Sequence, residues 1–249
     1  MSHTMTNNLA GIIPIAGHAS DIDLPWHHVL MPFEKNKTLL QHAVYNCAMA
    51  GCNTIWVICD DEQQPLIRTL IGEKVEDPVY RYRAHARHAS DHKRWIPIFY
   101  CSTTIRDQQR RNNIGWTAIF GCLLARKIFG SLSKHTAPDR FFVCWPYCKL
   151  DSLVLRSHRR DIQKMSLLFS DSSRSILSDD FLPVVCDLES IERSRQHCYD
   201  LQMAMSNYRE FSDLGLSSIF SALGPLEVRE LNFGYKKMSS WQEYCNFFK

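Results

Sequence analysis

Unbroken apolar runs alternate with stretches of helical period along the first half of the chain. Leu9-Ala-Gly-Ile-Ile-Pro-Ile-Ala16 is an uninterrupted apolar run that stops at Gly17, the pattern of a buried strand ending where the backbone must turn sharply. Thr38 to Ala50 places Leu39, Leu40, Ala43, Val44, Cys47 and Ala50 at helical spacing, with Thr38 as N-cap and Gly51 as the stop. Ile55 to Cys59 reads as a second buried strand, and strand, helix and strand in this order predict a right-handed βαβ unit with a parallel sheet. A short helix over Pro65 to Ile71, a third strand over Ile96 to Tyr100, a long amphipathic helix over Gly115 to Phe129 and a fourth strand over Phe141 to Trp145, broken by Pro146, follow. Beyond Leu150 the periods weaken. They predict helices over Leu153 to Met165 and Leu188 to Met205, a strand over Pro183 to Cys186, a half-exposed strand over Leu226 to Leu231, and a loop through the serine-rich span Ser166 to Ser178.

Composition narrows the class. The 249 residues are 45% hydrophobic and 22% charged, ordinary values for a globular chain, and no repeat or low-complexity linker divides them, so one domain over residues 1–249 is expected. Twenty-nine Lys and Arg against 26 Asp and Glu leave a formal charge of +3, too balanced for a global attractor of nucleic acid or membrane. No apolar run reaches the roughly 18 residues of a membrane span, and Met1 to Asn8 lacks the basic-then-apolar order of a secretory signal, so a soluble, cytoplasmic protein is expected. The ten cysteines sit mostly in apolar or helical segments without CxxC spacing, which reads as buried free thiols rather than a zinc site.

The ordered set of motifs resembles the sugar-phosphate nucleotidyltransferase family. Ile15-Ala-Gly-His-Ala-Ser-Asp21 stands where that family carries AAGxGxR, and His28-Val-Leu-Met-Pro-Phe33 where it carries its lysine-bearing PKxLLPV. Lys37-Thr-Leu-Leu-Gln-His42 is like GKPLIEH, and Ala50-Gly-Cys-Asn-Thr-Ile55 is like AGIxxI. Gly115-Trp-Thr-Ala118 looks like the Gly-Thr-Ala turn that approaches the base and ribose, Phe141 to Leu150 like the strand bearing the metal aspartate, and Trp241-Gln-Glu-Tyr244 like the closing aromatic helix. The resemblance implies a three-layer α/β/α, GT-A-like fold with a mainly parallel central sheet. Residues 9–150 would form the nucleotide-binding half and residues 151–249 the acceptor half. It implies transfer of a nucleotidyl group from a nucleoside triphosphate to a sugar phosphate or related acceptor, assisted by Mg²⁺.

The departures fall on the chemistry. Asp21 replaces the loop arginine, His28 the lysine, and no acid follows the fourth strand until Asp151. The residues the resemblance assigns are Ala16, Gly17, His18, Ala19, Ser20, Gly115 and Thr117 to the nucleotide, His28, Lys37 and Asp151 to catalysis, and Asp151 to the metal. Loop N–H groups after a strand suit phosphate oxygens, whereas a carboxylate at Asp21 would repel them. Other chemistry-bearing residues read both ways. Asp21 and Asp23 are metal ligands or surface acids; Asp60 and Asp61 contact a nucleoside or solvate a strand end; Asp107 with Arg110 and Arg111 holds a base or phosphate or is an exposed ion pair; Trp145 and Tyr147 stack on a ligand or belong to the core. The basic stretch Tyr80 to Arg94 grips a phosphate or an acidic partner or is a solvated helix face. The aromatic tail from Phe233 to Phe248 serves an oligomer contact or packs the last helix back on the sheet. Two rival functions accompany transfer: a catalytically reduced relative acting as a binding or assembly module, and a nucleotide-sugar-dependent glycosyltransferase, whose DxD motif would have to be Asp21-Ile-Asp23 after the wrong strand.

Overall fold

The structure, a computed structural model, describes residues 8–17, 22, 24–83, 93–133 and 136–248. Strand β1 (Leu9–Pro14) is buried at every position. After a 3-10 turn at His28–Leu30 come a small hairpin, β2 (Pro32–Glu34) and β3 (Lys37–Thr38), and helix α1 (Leu39–Ala50). Thr38 and Gln41 form a reciprocal capping box at its start, and Gly51 ends it in the left-handed region at φ 96°. Next are β4 (Thr54–Cys59), α2 (Gln64–Ile71), β5 (Lys74–Glu76), α3 (Pro78–Arg83), β6 (Trp95–Ser102), α4 (Ile105–Arg110), α5 (Ile114–Leu132) and β7 (Arg140–Val143). The second half contributes β8 (Cys148–Lys149), α6 (Ser152–Ser157), α7 (Arg159–Ile162), β9 (Leu167–Ser170), β10 (Val184–Asp187), α8 (Leu188–Ala204), α9 (Tyr208–Ser212), α10 (Leu216–Phe220), β11 (Glu227–Glu230), β12 (Lys236–Lys237) and α11 (Trp241–Phe247).

Eight strands form one sheet in the order β11-β9-β10-β7-β1-β4-β6-β5. The central run β7-β1-β4-β6 is parallel, as is β9 with β11, while β10 runs antiparallel to both β7 and β9 and β5 runs antiparallel to β6. Helix α1 packs with α3, α6 and α7, and α5 with α8 and α10, so two separate helical layers flank the sheet. The fold is therefore α/β with a large, mainly parallel central sheet, as expected. From β1 the chain moves through α1 to β4 on one side, and from β6 it returns through α5 to β7 on the other. The strand order thus reverses between β1 and β7, where sheets of this kind open a crevice beyond their carboxyl ends.

Three local expectations are corrected. The serine-rich span is not a loop throughout: Leu167–Ser170 is strand β9, buried at all four positions between β10 and β11. Its serines hid a three-residue apolar core too short to show a period. The helix expected over Leu153 to Met165 is two short helices, α6 and α7, meeting at His158. The last helix does not return to the sheet. No residue of α11 is buried; it lies on the β2–β3 hairpin, with Phe247 5.9 Å from Phe33 and the Tyr244 hydroxyl donating to the Pro32 carbonyl. Of the ten cysteines, all unpaired, eight are buried and Cys101 and Cys245 are half-buried. Among the described residues no helix is long and apolar enough to cross a membrane.

Candidate functional site

The crevice between β1 and β7 is the first place to look for a ligand, and it is filled. Beyond β7 the chain delivers Trp145 and Tyr147, both fully buried. The Tyr147 hydroxyl donates to the Ile15 carbonyl at 3.0 Å, tying the two strand ends together, and its ring lies 5.0 Å from His28 and 5.1 Å from Phe181. Trp145 donates its indole N–H to the Leu182 carbonyl at 3.0 Å. Burial, with the Asp60 charge adding to it, pushes the Tyr147 phenol well above its ordinary value, so it stays neutral. The core reading of both aromatics holds.

The loop after β1 is equally committed. The Ile15 and Ala16 N–H groups both donate to the Ile58 carbonyl, at 2.8 and 3.1 Å, which leaves the Ala16 N–H engaged within the sheet. Gly17 has φ 78° and sits so close to the start of α5 that a Cβ there would stand 2.8 Å from the Asn113 backbone. Asn113 is the residue that motif reading missed. Its Oδ1 accepts the Gly115 N–H at 2.8 Å, and its Nδ2 donates to the carbonyls of Phe211, Ser212 and Leu214, at 3.3, 3.3 and 2.8 Å. The legible signal was only an Asn before a helix; its second half reaches a segment about a hundred residues away. Through it the α9–α10 segment lies over the turn at 115–117. A Cβ on Gly115 would meet Ile219 at 2.8 Å, and the Thr117 hydroxyl donates back to the Asn113 carbonyl at 3.2 Å. The loop at Gly17 and the turn at Gly115 do come together, as a nucleotide site would require, and both face the chain itself.

His28 is buried beside His27, with ring centroids 4.8 Å apart. Desolvation by burial, then the neighbouring His28, lowers the His27 pKa to about 3, so this imidazole supplies no positive charge near neutral pH. At the end of β4, burial raises the Asp60 pKa, while its carboxylate accepts from Gln108 at 3.3 Å; Asp61 accepts from the Ser102 hydroxyl. His18, Ala19, Ser20, Asp21 and Asp23 lie outside the described residues, as does most of the basic stretch between Tyr80 and Arg94.

Lys37 and Asp151 meet elsewhere, in an open cleft of about 430 Å³ that also takes in Glu34, His42, Tyr45 and Lys149. The sequence gives Lys149 no role and His42 only the last place of the Lys37–His42 motif. Glu34 lies between the two lysines, 3.8 Å from Lys37 and 3.7 Å from Lys149. His42 Nε2 accepts the Leu150 N–H at 3.3 Å; burial first, then the lysine charges, lowers its pKa to about 4. Asp151 caps α6 by accepting the Leu153 N–H at 2.9 Å. His28 lines a different cleft, so the three residues assigned to catalysis are not brought together.

The described residues do not fit the implied Mg²⁺ site. Tyr147 follows the strand where the metal aspartate is expected, Asp151 is exposed and occupied as a helix cap, and no group of three or more His, Cys, Asp or Glu among the described residues is placed to hold a metal ion. The ion pair near the turn also differs from expectation. Arg111 and Asp107 are buried, 2.7 Å apart, rather than exposed, and Arg110 stacks over Tyr208 at 5.6 Å instead of sharing that acid.

No protein-family model and no curated protein matches this chain. Solved structures do. The chain is similar to a structure from Bacillus anthracis described as a glucose-1-phosphate thymidylyltransferase in complex with a sucrose, at TM-score 0.59 and 10% identity over 96% of this chain and 93% of that one. It is also similar to the Mycobacterium tuberculosis protein Rv0371c, at TM-score 0.51 and 11% identity over 99% and 98% of the two chains. At such identities the likeness is one of fold: this chain has a nucleotidyltransferase-like fold.

Proposed function

We propose that this protein is a catalytically reduced relative of the nucleotidyltransferases, which keeps the fold as a binding or assembly module. The observation that carries the reading is the closed strand-end crevice, in which Tyr147 hydrogen-bonds to Ile15 at 3.0 Å and the α9–α10 segment covers Gly115. Phosphoryl chemistry depends on positioned cations and open access to the reacting phosphorus, and the aromatic filling seen among the described residues favours neither. The replacement of the loop arginine by Asp21 and of the lysine by His28 points the same way.

A second reading, nucleotidyl transfer from a nucleoside triphosphate to a sugar-phosphate-like acceptor, draws support from the cleft that joins Lys37, Lys149 and Asp151. The two separate in one experiment: pyrophosphate release is followed with each nucleoside triphosphate, a panel of sugar 1-phosphates and Mg²⁺. The reduced reading expects no release above an enzyme-free control. Saturable, Mg²⁺-dependent release abolished by Lys37→Ala would overturn it in favour of transfer.

A further inference from the structure

Between α4, the end of α8 and the start of α9 lies a groove of about 560 Å³, whose lining shares no residue with the lysine cleft or with the aromatic filling of the crevice. Arg106, Arg110, Arg111, Tyr199 and Tyr208 line it, and no carboxylate does. Arg111 is 8% exposed and rigidly held. Its Nη1 donates to Asp107 and its Nε to Gln202, each at 2.7 Å, and its guanidinium is packed against the rings of Trp116 and Tyr199, at 4.4 and 4.5 Å. Its Nη2 has no acceptor among the described residues. Arg110 lies over Tyr208, and neither Arg110 nor Arg106 has an acidic partner there. Asp107 pairs with Arg111 alone, and its second oxygen already accepts the Thr104 hydroxyl at 2.6 Å. Glu210 on α9 is engaged by the Asn207 side chain and the Ser206 N–H.

Three arginines lining one groove with no carboxylate in its lining repel one another unless an anion joins them, and planar forks of N–H donors match phosphate oxygens. Tyr208 is 49% exposed at the rim and Met203 86%, an apolar platform beside the charged floor. We propose that the groove binds a small phosphomonoester carrying a planar ring, of the nucleoside monophosphate class. The phosphate lies on Arg106, Arg110 and Arg111, and the ring lies against Tyr208. This binding needs neither the crevice at β1 nor a metal, and it stands apart from the function proposed above.

The test is calorimetric titration of the full chain in EDTA with the four nucleoside monophosphates, ribose 5-phosphate, adenosine and inorganic phosphate. At least one monophosphate should bind about tenfold or more tighter than ribose 5-phosphate, with adenosine weaker still. The double variant Arg106→Gln/Arg110→Gln, two side chains outside the core, should weaken the monophosphate at least about tenfold while leaving the melting temperature in place. Tyr208→Ala should weaken the monophosphate more than ribose 5-phosphate. Absence of binding at millimolar monophosphate, equal binding of adenosine, or affinity unchanged in the double variant would each overturn the proposal. Because EDTA silences any Mg²⁺-dependent transfer, the outcome is independent of the pyrophosphate assay.

Discussion

Gly17 and His42 show how single positions carry this structure. At Gly17 the φ of 78° and the 2.8 Å approach of the Asn113 backbone leave no room for a Cβ, and backbone atoms cannot move aside as a flexible side chain can. Gly17→Ala should therefore cost about 2 kcal/mol or more of folding stability, measured by urea unfolding, whether or not a ligand ever visits the loop. His42 is held neutral: its pKa falls from 6.5 unfolded to about 4 folded because burial and the nearby Lys37 and Lys149 disfavour the imidazolium. Stability from this group is complete above pH 6.5 and is lost as pH falls toward 4, by about 3 kcal/mol at most. His42→Gln, which retains an acceptor for the Leu150 N–H, should flatten the wild-type decline between those two pH values. His27 titrates in the same direction and leaves a residual slope. An identical slope in the variant would exclude the assignment.

At the scale of elements, the connections bear more weight than the strands. Asp77 caps α3 through the Val79 N–H at 3.0 Å and receives both Nη groups of Arg159, at 3.0 and 2.6 Å; Arg159 also donates to the Ala48 carbonyl of α1. This nearly dry ion pair thus joins α1, α3 and α7, with the more exposed Arg94 3.8 Å from the same carboxylate. Breaking such a pair leaves the buried carboxylate with only the longer Arg94 contact, so Arg159→Ala should destabilise by about 2 kcal/mol or more, whereas truncating Glu189, exposed in its surface pair with Arg193, should change stability by less than about 0.5 kcal/mol. Parallel chemical unfolding of the two variants checks the difference. The elements legible in the sequence were those with a long period or a cap. Helix α1 announces itself through Thr38, Gln41 and Gly51, and β1 and β4 through unbroken apolar runs. Strand β9 was not legible: Leu167 to Ser170 has no length to establish a period, and its burial comes from β10 and β11, which pair with it from later in the chain.

Across the whole molecule, the sheet is built from both halves of the sequence. Strand β7 pairs with β1 on one edge and with β10 on the other, so the expected nucleotide and acceptor halves share one hydrogen-bonded layer, and a single apolar cluster runs from Leu9 to Tyr235. We expect the chain to unfold in one transition, with near- and far-ultraviolet circular dichroism coinciding along a urea titration; two separated midpoints would show that the halves are independent domains. The sequence by itself determined the class of fold, because unbroken apolar runs, period-3.6 burial, helix caps and strand-ending glycines are local rules written in consecutive residues. It also marked where family chemistry departs, at Asp21, His28 and the stretch before Asp151. Only the tertiary structure decided what occupies the altered places. That Tyr147 closes on Ile15, that Asn113 holds the α9–α10 segment over Gly115, and that Arg111 lines a groove with the end of α8 and the start of α9 depend on contacts between residues far apart in the chain. No local pattern encodes such contacts, because they exist only once the sheet has brought its strand ends together.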